Sequence, residues 1–341
     1  MKSIPQTEPL LGEAERLAVN QYLESGGWLT EHTKTKEFED AVAKFLKVDY
    51  CVAVPNGTIG LFLAVKALNL DGEVIVPDFT MIASANAVEM AGATPVLVDI
   101  NPDTLCIDVS KIKLTKKTQA VLAVNLNGQH PDIGELGLFC LKNGLYLIED
   151  ACQAFGAEVG EVKLGTFGDV GVFSLSPHKI ITTGQGGLIV TSNKEIYERI
   201  KKLKDFGRLK GGEDYYPEIG YNFKFTDLQA VIGLEQLKTI EWRMEKKRQI
   251  YEWYFGHKPD FLPWFMPGWS KNRTRTLANL KKAGIGARPF YPPVHTTYKI
   301  KGDFPNTELV SAHGYWLPSS LSLTKSDVDY VLEVLSKEVK R

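Results

Sequence analysis

The chain has 341 residues, 44% hydrophobic and 24% charged, enough to bury a sizeable core and too long for one small domain. Its 40 basic and 41 acidic residues leave a net charge of -1, so it has no general attraction to nucleic acid or to an anionic membrane. No apolar run reaches transmembrane length, and the four cysteines (Cys51, Cys106, Cys140, Cys152) show no CxxC or Cys/His metal spacing.

Helical periodicity runs from Leu11 to Ser25 and stops at Gly26-Gly27. "KTKEFEDAVAKFLKV" predicts a second amphipathic helix. "YCVAVPNGT" reads as a short apolar strand ending in a turn, and "IGLFLAVKALNL" as the apolar helix after it. "GEVIVPD" predicts the next strand and "MIASANAVEMAG" the next helix. "TPVLVDI", "QAVLAVNL", "GLYLIEDA", "VGVFSLS" and "GGLIVT" are further short strands rich in Val, Ile and Leu. Such nearly continuous apolar runs suit strands covered on both faces. Their alternation with helices predicts a largely parallel, doubly wound α/β sheet.

Past Asn222 the pattern changes. Residues 225–255 read as one long helical stretch, followed by "HKPDFLPWFMPGWS", rich in Pro and aromatics. "TRTLANLKKAG" predicts a helix, and "TKSDVDYVLEVLSKEVK" a closing one with Thr or Ser as its N-cap. The expected division is a large domain over 1–240 and a smaller C-terminal α/β domain over 241–341. The opening "MKSIPQTEPLLGEAERL" has no apolar core of a secretory leader, so none is expected. Reduced cysteines in a cytoplasmic protein without a metal centre fit best.

Three fragments carry chemistry. In "PNGTIGLFLAV" a strand gives way to a helix at Asn56-Gly57-Thr58. Free N–H groups and the helix dipole make such a start a phosphate site, and Gly57 lets the backbone approach closely. An ordinary glycine-bearing turn reads the same way. Asp150 closes the strand of "YLIEDACQAFG", and in a doubly wound sheet the carboxyl ends of strands carry the ligand. A carboxylate there coordinates a metal, acts as a base, pairs with a protonated ring nitrogen, or merely caps a helix. In "FSLSPHKIITTGQGG", Lys179 follows a strand and precedes a Gly-rich turn. A lysine in a low-dielectric site loses its charge more readily, and its neutral amine is a nucleophile able to condense with an aldehyde cofactor. A surface lysine is the plain alternative. Ser174 offers a hydroxyl to a phosphate, and His178 reads as a packing or hydrogen-bonding residue. Together, a phosphate-binding helix start, a strand-end carboxylate and a desolvated lysine are the parts pyridoxal 5'-phosphate requires. A nicotinamide enzyme would want G-x-G-x-x-G, which "PNGTIG" does not supply.

The order and spacing of these motifs resemble the sugar aminotransferases of the DegT/DnrJ/EryC1/StrS family, within the aspartate aminotransferase-like fold type I of the pyridoxal phosphate enzymes. The similarity starts at "ESGGWLT" and runs through "VIVPDFTMIASANAVEMAGATPVLVDI", "HKIITTGQGGLIVT" and "IGYNFKFTDLQAVIGLEQL" to "GIGARPFYPPVH" and "WLPSSLSLT". It implies a large doubly wound mixed-sheet domain, a small α/β domain and a homodimer with shared sites. It also implies that Lys179 holds the cofactor's aldehyde and Asp150 pairs with its ring nitrogen. By the same resemblance Gln153 lies against the ring, Gly57, Thr58 and Ser174 hold the phosphate, and Asn222 reaches a phosphate across the dimer interface. The chain departs from the family at Met81, where an aromatic ring usually stacks on the cofactor. A thioether also packs on a ring, and Phe79 is the other candidate for that task. Gln185 stands in "GQGG" for the usual glutamate, Asn127 replaces a tyrosine or phenylalanine, and the segment 257–277 is short.

Dehydratases of this kind carry a histidine in place of the lysine. Counting back from Gly184 puts Lys179 at that position, with His178 before it, so transamination is the expected chemistry. The resemblance implies amino transfer from glutamate to C4 of a nucleotide-linked 4-keto-6-deoxyhexose, as for perosamine-type sugars. C3 amination of a 3-keto sugar and C3 dehydration are the alternatives. Arg288 and His295 in "ARPFYPPVH" are candidates for substrate contact.

Overall fold

The computed structural model describes residues 3–339. Two helices come first, α1 (Glu13–Glu24) and α2 (Thr33–Leu46). Then follow β1 (Tyr50–Val54), α3 (Gly57–Ala67), β2 (Glu73–Pro77), α4 (Ala83–Met90), β3 (Thr94–Val98), β4 (Thr118–Val124), α5 (Ile133–Asn143) and β5 (Tyr146–Asp150). A small hairpin, β6 (Glu158–Val159) and β7 (Val162–Lys163), leads to β8 (Val170–Ser174), β9 (Gly187–Thr191), α6 (Lys194–Lys204), α7 (Asp227–Lys238) and α8 (Ile240–Phe255). The remainder holds β10 (Met266–Trp269), α9 (Arg273–Lys282), β11 (Arg288–Pro289), α10 (Val294–Tyr298), α11 (Pro305–His313), β12 (Gly314–Leu317) and α12 (Lys325–Val339).

Seven strands form one sheet in the order β1-β9-β8-β5-β4-β2-β3. β9 runs antiparallel to both of its neighbours, with Tyr50 opposite Thr191 and Ser174 opposite Gly187. The pairs from β8 through β5, β4 and β2 to β3 are parallel. The period-2 alternation of side chains sends each strand's apolar residues to both faces. In β4, Ala120, Leu122 and Val124 join the core formed with α3, α4 and α6, while Val121 and Ala123 join that formed with α5. In β9, Ile189 faces the first core, and Leu188 and Val190 pack with Phe38 and Val42 of α2 and Ala230 of α7. Both faces are dry, which is why the strands read as unbroken apolar runs.

Residues 225–255 form two helices rather than one. Thr239 breaks the run: its hydroxyl donates to the Gln236 carbonyl (3.1 Å) and accepts from Arg243 Nε (2.8 Å). A threonine hydroxyl bonding backward to the preceding turn offers the chain an alternative to continuing the helix. α8 then bridges two cores. Met244 packs with the large sheet's residues, whereas Ile250 and Tyr254 join Met266, Leu280, Tyr315, Leu317 and Val328. That second core is covered by a three-stranded antiparallel sheet in the order β10-β12-β11. Ile4 belongs to it as well, bridging to Ile285. The closing helix has the expected threonine cap, with Thr324 N–H donating to the Asp327 carboxylate (2.9 Å) and Asp327 N–H to the Thr324 hydroxyl (3.3 Å).

Candidate active site

β1 ends at Val54 and α3 opens at Gly57, so this helix starts at the carboxyl edge of the sheet. Asn56 caps it by accepting the Ile59 N–H on Oδ1 (2.9 Å). The Gly57 and Thr58 amides, lying in the first turn, have no intrahelical acceptor. Gly57 is required by space: a Cβ there would lie 2.7 Å from Cys152 Sγ and 3.3 Å from the Ser174 Cβ. Gly187 of β9 is equally constrained, since its Cβ would lie 2.5 Å from the Asn56 carbonyl carbon. The helix start, the end of β8 and the turn after β5 therefore meet at one point. Open amides at the positive end of a helix favour an anion there.

A cavity of about 540 Å³ covers this point. Gly57, Thr58, Met81, Asp150, Gln153, Ser174 and Lys179 all line it, so these expected residues come together from four separate segments. Strand alternation sorts the two consecutive carboxylates of β5. Glu149 is fully buried and accepts the Gly165, Phe167 and Gly168 N–H groups (2.8, 2.6 and 2.9 Å) and Asn125 Nδ2 (2.9 Å), which staples a loop. Asp150 faces the cavity, 5% exposed. Its Oδ2 accepts from Ser84 Oγ (2.7 Å) and its Oδ1 from the Cys152 N–H (3.1 Å).

Lys179 is half-buried, on a turn closed by the Leu175 N–H donating to the Gly186 carbonyl (2.8 Å). Desolvation pushes its amine down from 10.5 to about 8; Asp150 pulls it back up, and Arg288 pushes it further down. Its Nζ lies 3.7 Å from the Trp264 ring centroid. Burial raises the Cys152 thiol well above its ordinary value, so it is no thiolate beside the lysine.

Gln153 is held from both ends. Its Oε1 accepts the Asn127 N–H (3.0 Å), and its Nε2 donates to the Tyr291 hydroxyl (3.4 Å). Asn127 also bonds the Phe265 backbone in both directions, Nδ2 to the carbonyl (3.0 Å) and Oδ1 from the N–H (2.6 Å). Asn127 thus forms a polar link between the β4 loop and the segment before β10. Of the two stacking candidates Met81 lines the cavity, while Phe79 is fully buried against Phe290 and Tyr291.

Three expected residues lie outside the cavity lining. Arg288 stands behind Tyr291 with its guanidinium 4.8 Å from the Phe265 ring centroid. His295 turns to Asp78, its Nδ1 2.6 Å from Oδ2 and its N–H 2.7 Å from Oδ1. Asn222 is exposed, bridging to Asp205 at a distance from its own chain's cavity lining. Conversely, Tyr291, Ser84 and Trp264 emerge only in three dimensions. Tyr291 lines the cavity, its phenol pushed up to about 12 by burial. Its place in "ARPFYPPVH" was the available signal; Trp264 gave none beyond its aromatic-rich surroundings. Among the described residues, no group of three or more His, Cys, Asp or Glu could hold a metal ion. Nor is any of their helices long and apolar enough to cross a membrane.

A mixed seven-stranded sheet with one reversed strand, serving a cavity at its carboxyl edge, places the protein among the fold type I pyridoxal phosphate transferases. The chain belongs to the DegT/DnrJ/EryC1/StrS aminotransferase family, whose model matches residues 9–257 and 261–336. A GDP-perosamine synthase of Vibrio cholerae is 36% identical over 344 residues, spanning 93% of this chain and 94% of its own. Among solved structures, the aminotransferase TlmJ from Streptoalloteichus hindustanus superposes with a TM-score of 0.93 at 29% identity, covering 99% of each chain. The PLP form of Spr1654 from Streptococcus pneumoniae does so with a TM-score of 0.92 at 26% identity, covering 98% of this chain and 99% of its own.

Proposed function

We propose that this protein transfers an amino group from glutamate to C4 of a nucleotide-linked 4-keto-6-deoxyhexose, with pyridoxal 5'-phosphate as cofactor. The observation that carries the reading is the near end-to-end match to a GDP-perosamine synthase, joined to a cavity whose groups suit each part of that cofactor. The α3 start with Thr58 and Ser174 would take the phosphate, Asp150 the ring nitrogen, and Lys179 the aldehyde. Met81 and Gln153 would lie against the ring. Once bound, the cofactor supplies an aldehyde to carry the amino group and a ring to draw off electrons.

The chain's own groups do the rest. Asp150, oriented by Ser84 and the Cys152 amide, would pair with the ring nitrogen and keep a proton on it. Lys179, its amine lowered to about 8, is neutral in about a tenth of molecules at pH 7, several hundredfold more than an ordinary lysine. Its Nζ could therefore take a proton from the donor's Cα and return one at the cofactor's aldehyde carbon, across the intervening nitrogen, acting as base and then as acid. Tyr291 and Gln153 would orient the bound groups.

The protein is read as a cytoplasmic homodimer in which Asn222, exposed and outside its own cavity lining, serves the partner's phosphate. Arg288 is taken to act on the sugar through Tyr291, and His295 to approach it from the Asp78 side. The chain is divided as 1–240 and 241–341, with α8 as the shared element. The test is to incubate purified protein with the cofactor, glutamate and a panel of nucleotide-linked 4-keto and 3-keto sugars. NMR is expected to show an amine at C4. A dehydrated sugar without nitrogen, or amination at C3 alone, would overturn the reading.

A further inference from the structure

Trp264 touches the Lys179 turn at two points, from a segment far along the chain. Its indole N–H donates to the His178 carbonyl (2.7 Å), 86 positions earlier, and its ring face receives Lys179 Nζ at 3.7 Å. The residue is 6% exposed, and the Phe265 ring stacks on it with centroids 3.6 Å apart. Its backbone is held in turn by Lys247 of α8, whose Nζ donates to the Trp264 carbonyl (2.8 Å) and to the Ser319 carbonyl. Lys247 is 3% exposed and is drawn to no carboxylate among its described bonds. A neutral amine has two N–H groups, and here they meet two carbonyls.

We propose that Trp264 is a positioning residue for Lys179: its ring face holds the amine whenever the amine is not bonded elsewhere, and its N–H fixes the turn that carries it. The inference rests on reading Lys179 as the cofactor lysine. A cation over an indole in a desolvated place is stabilised by the ring quadrupole. The ring thus favours the protonated amine and opposes burial. The other groups facing Lys179 are Asp150, which also favours the cation, Arg288, which disfavours it, and Cys152, an uncharged thiol. His178 is adjacent in the chain, and its imidazole is lowered by burial, with Arg288 and Lys179 acting in the same direction. Without such a rest the flexible side chain of a freed lysine would wander from the reacting carbon.

The experiment uses cofactor-free full-length protein and follows, by absorbance, the rate at which it condenses with pyridoxal 5'-phosphate across pH. Only the neutral amine attacks, so the rate rises through the amine's pKa. Trp264→Met fills the space without a ring, and its inflection is expected about one pH unit lower than in the native protein. Trp264→Phe restores a ring and is expected to restore most of the shift; Trp264→Leu replaces the Met variant if that one does not fold. An inflection unmoved in the ringless variant overturns this inference alone. A Lys179→Ala protein that condenses with the native profile overturns both the inference and the assignment of Lys179.

Discussion

Replacing Lys247 by methionine tests whether a buried, unpaired amine costs the fold stability in a defined pH window. Burial lowers this amine from 10.5 to about 7. Below about pH 7 both the folded and unfolded chains hold the proton, so the residue adds no slope. Between about 7 and 10.5 the unfolded chain holds a proton that the folded chain lacks, so stability rises with pH. Above that window the contribution is flat again. The slope is about 1.4 kcal/mol per pH unit, so from pH 7 to 9 the native protein gains on the order of 3 kcal/mol. Lys247→Met holds no proton at this position in either state and lacks that slope. Lys179, also lowered by burial, adds slope to both proteins and cancels in the difference. The assay is urea unfolding of cofactor-free protein at one fixed concentration and several pH values, followed by tryptophan fluorescence, since Trp264 accepts the Lys247 bond. The Met variant also strands two carbonyls, at a cost of about 1–3 kcal/mol each that does not vary with pH. The native and variant curves should therefore diverge with rising pH; curves that stay parallel from pH 6 to 9 would mean that Lys247 keeps its proton inside the fold.

Lys179→Ala should lose the visible absorbance of the loaded protein and nearly all turnover; native colour with native turnover would exclude Lys179 as the anchor. Asp150→Asn should fold and load but lose at least a hundredfold in turnover, because an amide cannot keep the ring nitrogen protonated; a loss under tenfold would leave Asp150 as a turn residue. Mixing Asn222→Ala with Lys179→Ala subunits after dissociation should give hybrids more active than either parent, since one shared site collects both defects and the other neither. Hybrids seen by mass spectrometry without such rescue would mean that each subunit completes its own site.

The large sheet was legible because its strands are dry on both sides: runs such as Val74–Val76 and Leu188–Val190 leave no polar face to confuse with a surface helix. The small sheet was not. β10 contains Pro267 and Gly268, both poor strand formers, and finds its partner, Gly314–Leu317, beyond three intervening helices. Thr239 looked like one more helical residue because a hydroxyl's backward bond leaves no trace in apolar spacing. In the site, Lys179, Asp150 and Gly57 were readable from strand ends and turns. Trp264 and Ser84 were not, since each reaches the site through contacts with residues distant in the chain. The Asp78–His295 pair spans 217 positions, and only the fold reveals that the histidine has a carboxylate to answer.

The pairing of β1 sets a timetable for synthesis. Tyr50–Val54 lie at the sheet's edge, and β9 is their one neighbour in it. At about 5–20 residues per second, the roughly 130 residues between them keep a nascent chain waiting for roughly 7–26 seconds. Throughout that interval an apolar strand edge stands open on the ribosome, a template for wrong partners and a natural client for a holding chaperone. The start of α3 waits with it, because Asn56 comes to rest against Gly187 of that same late strand. The amides of Gly57 and Thr58 are thus made early, while the strand that packs against their helix start comes roughly 130 residues later.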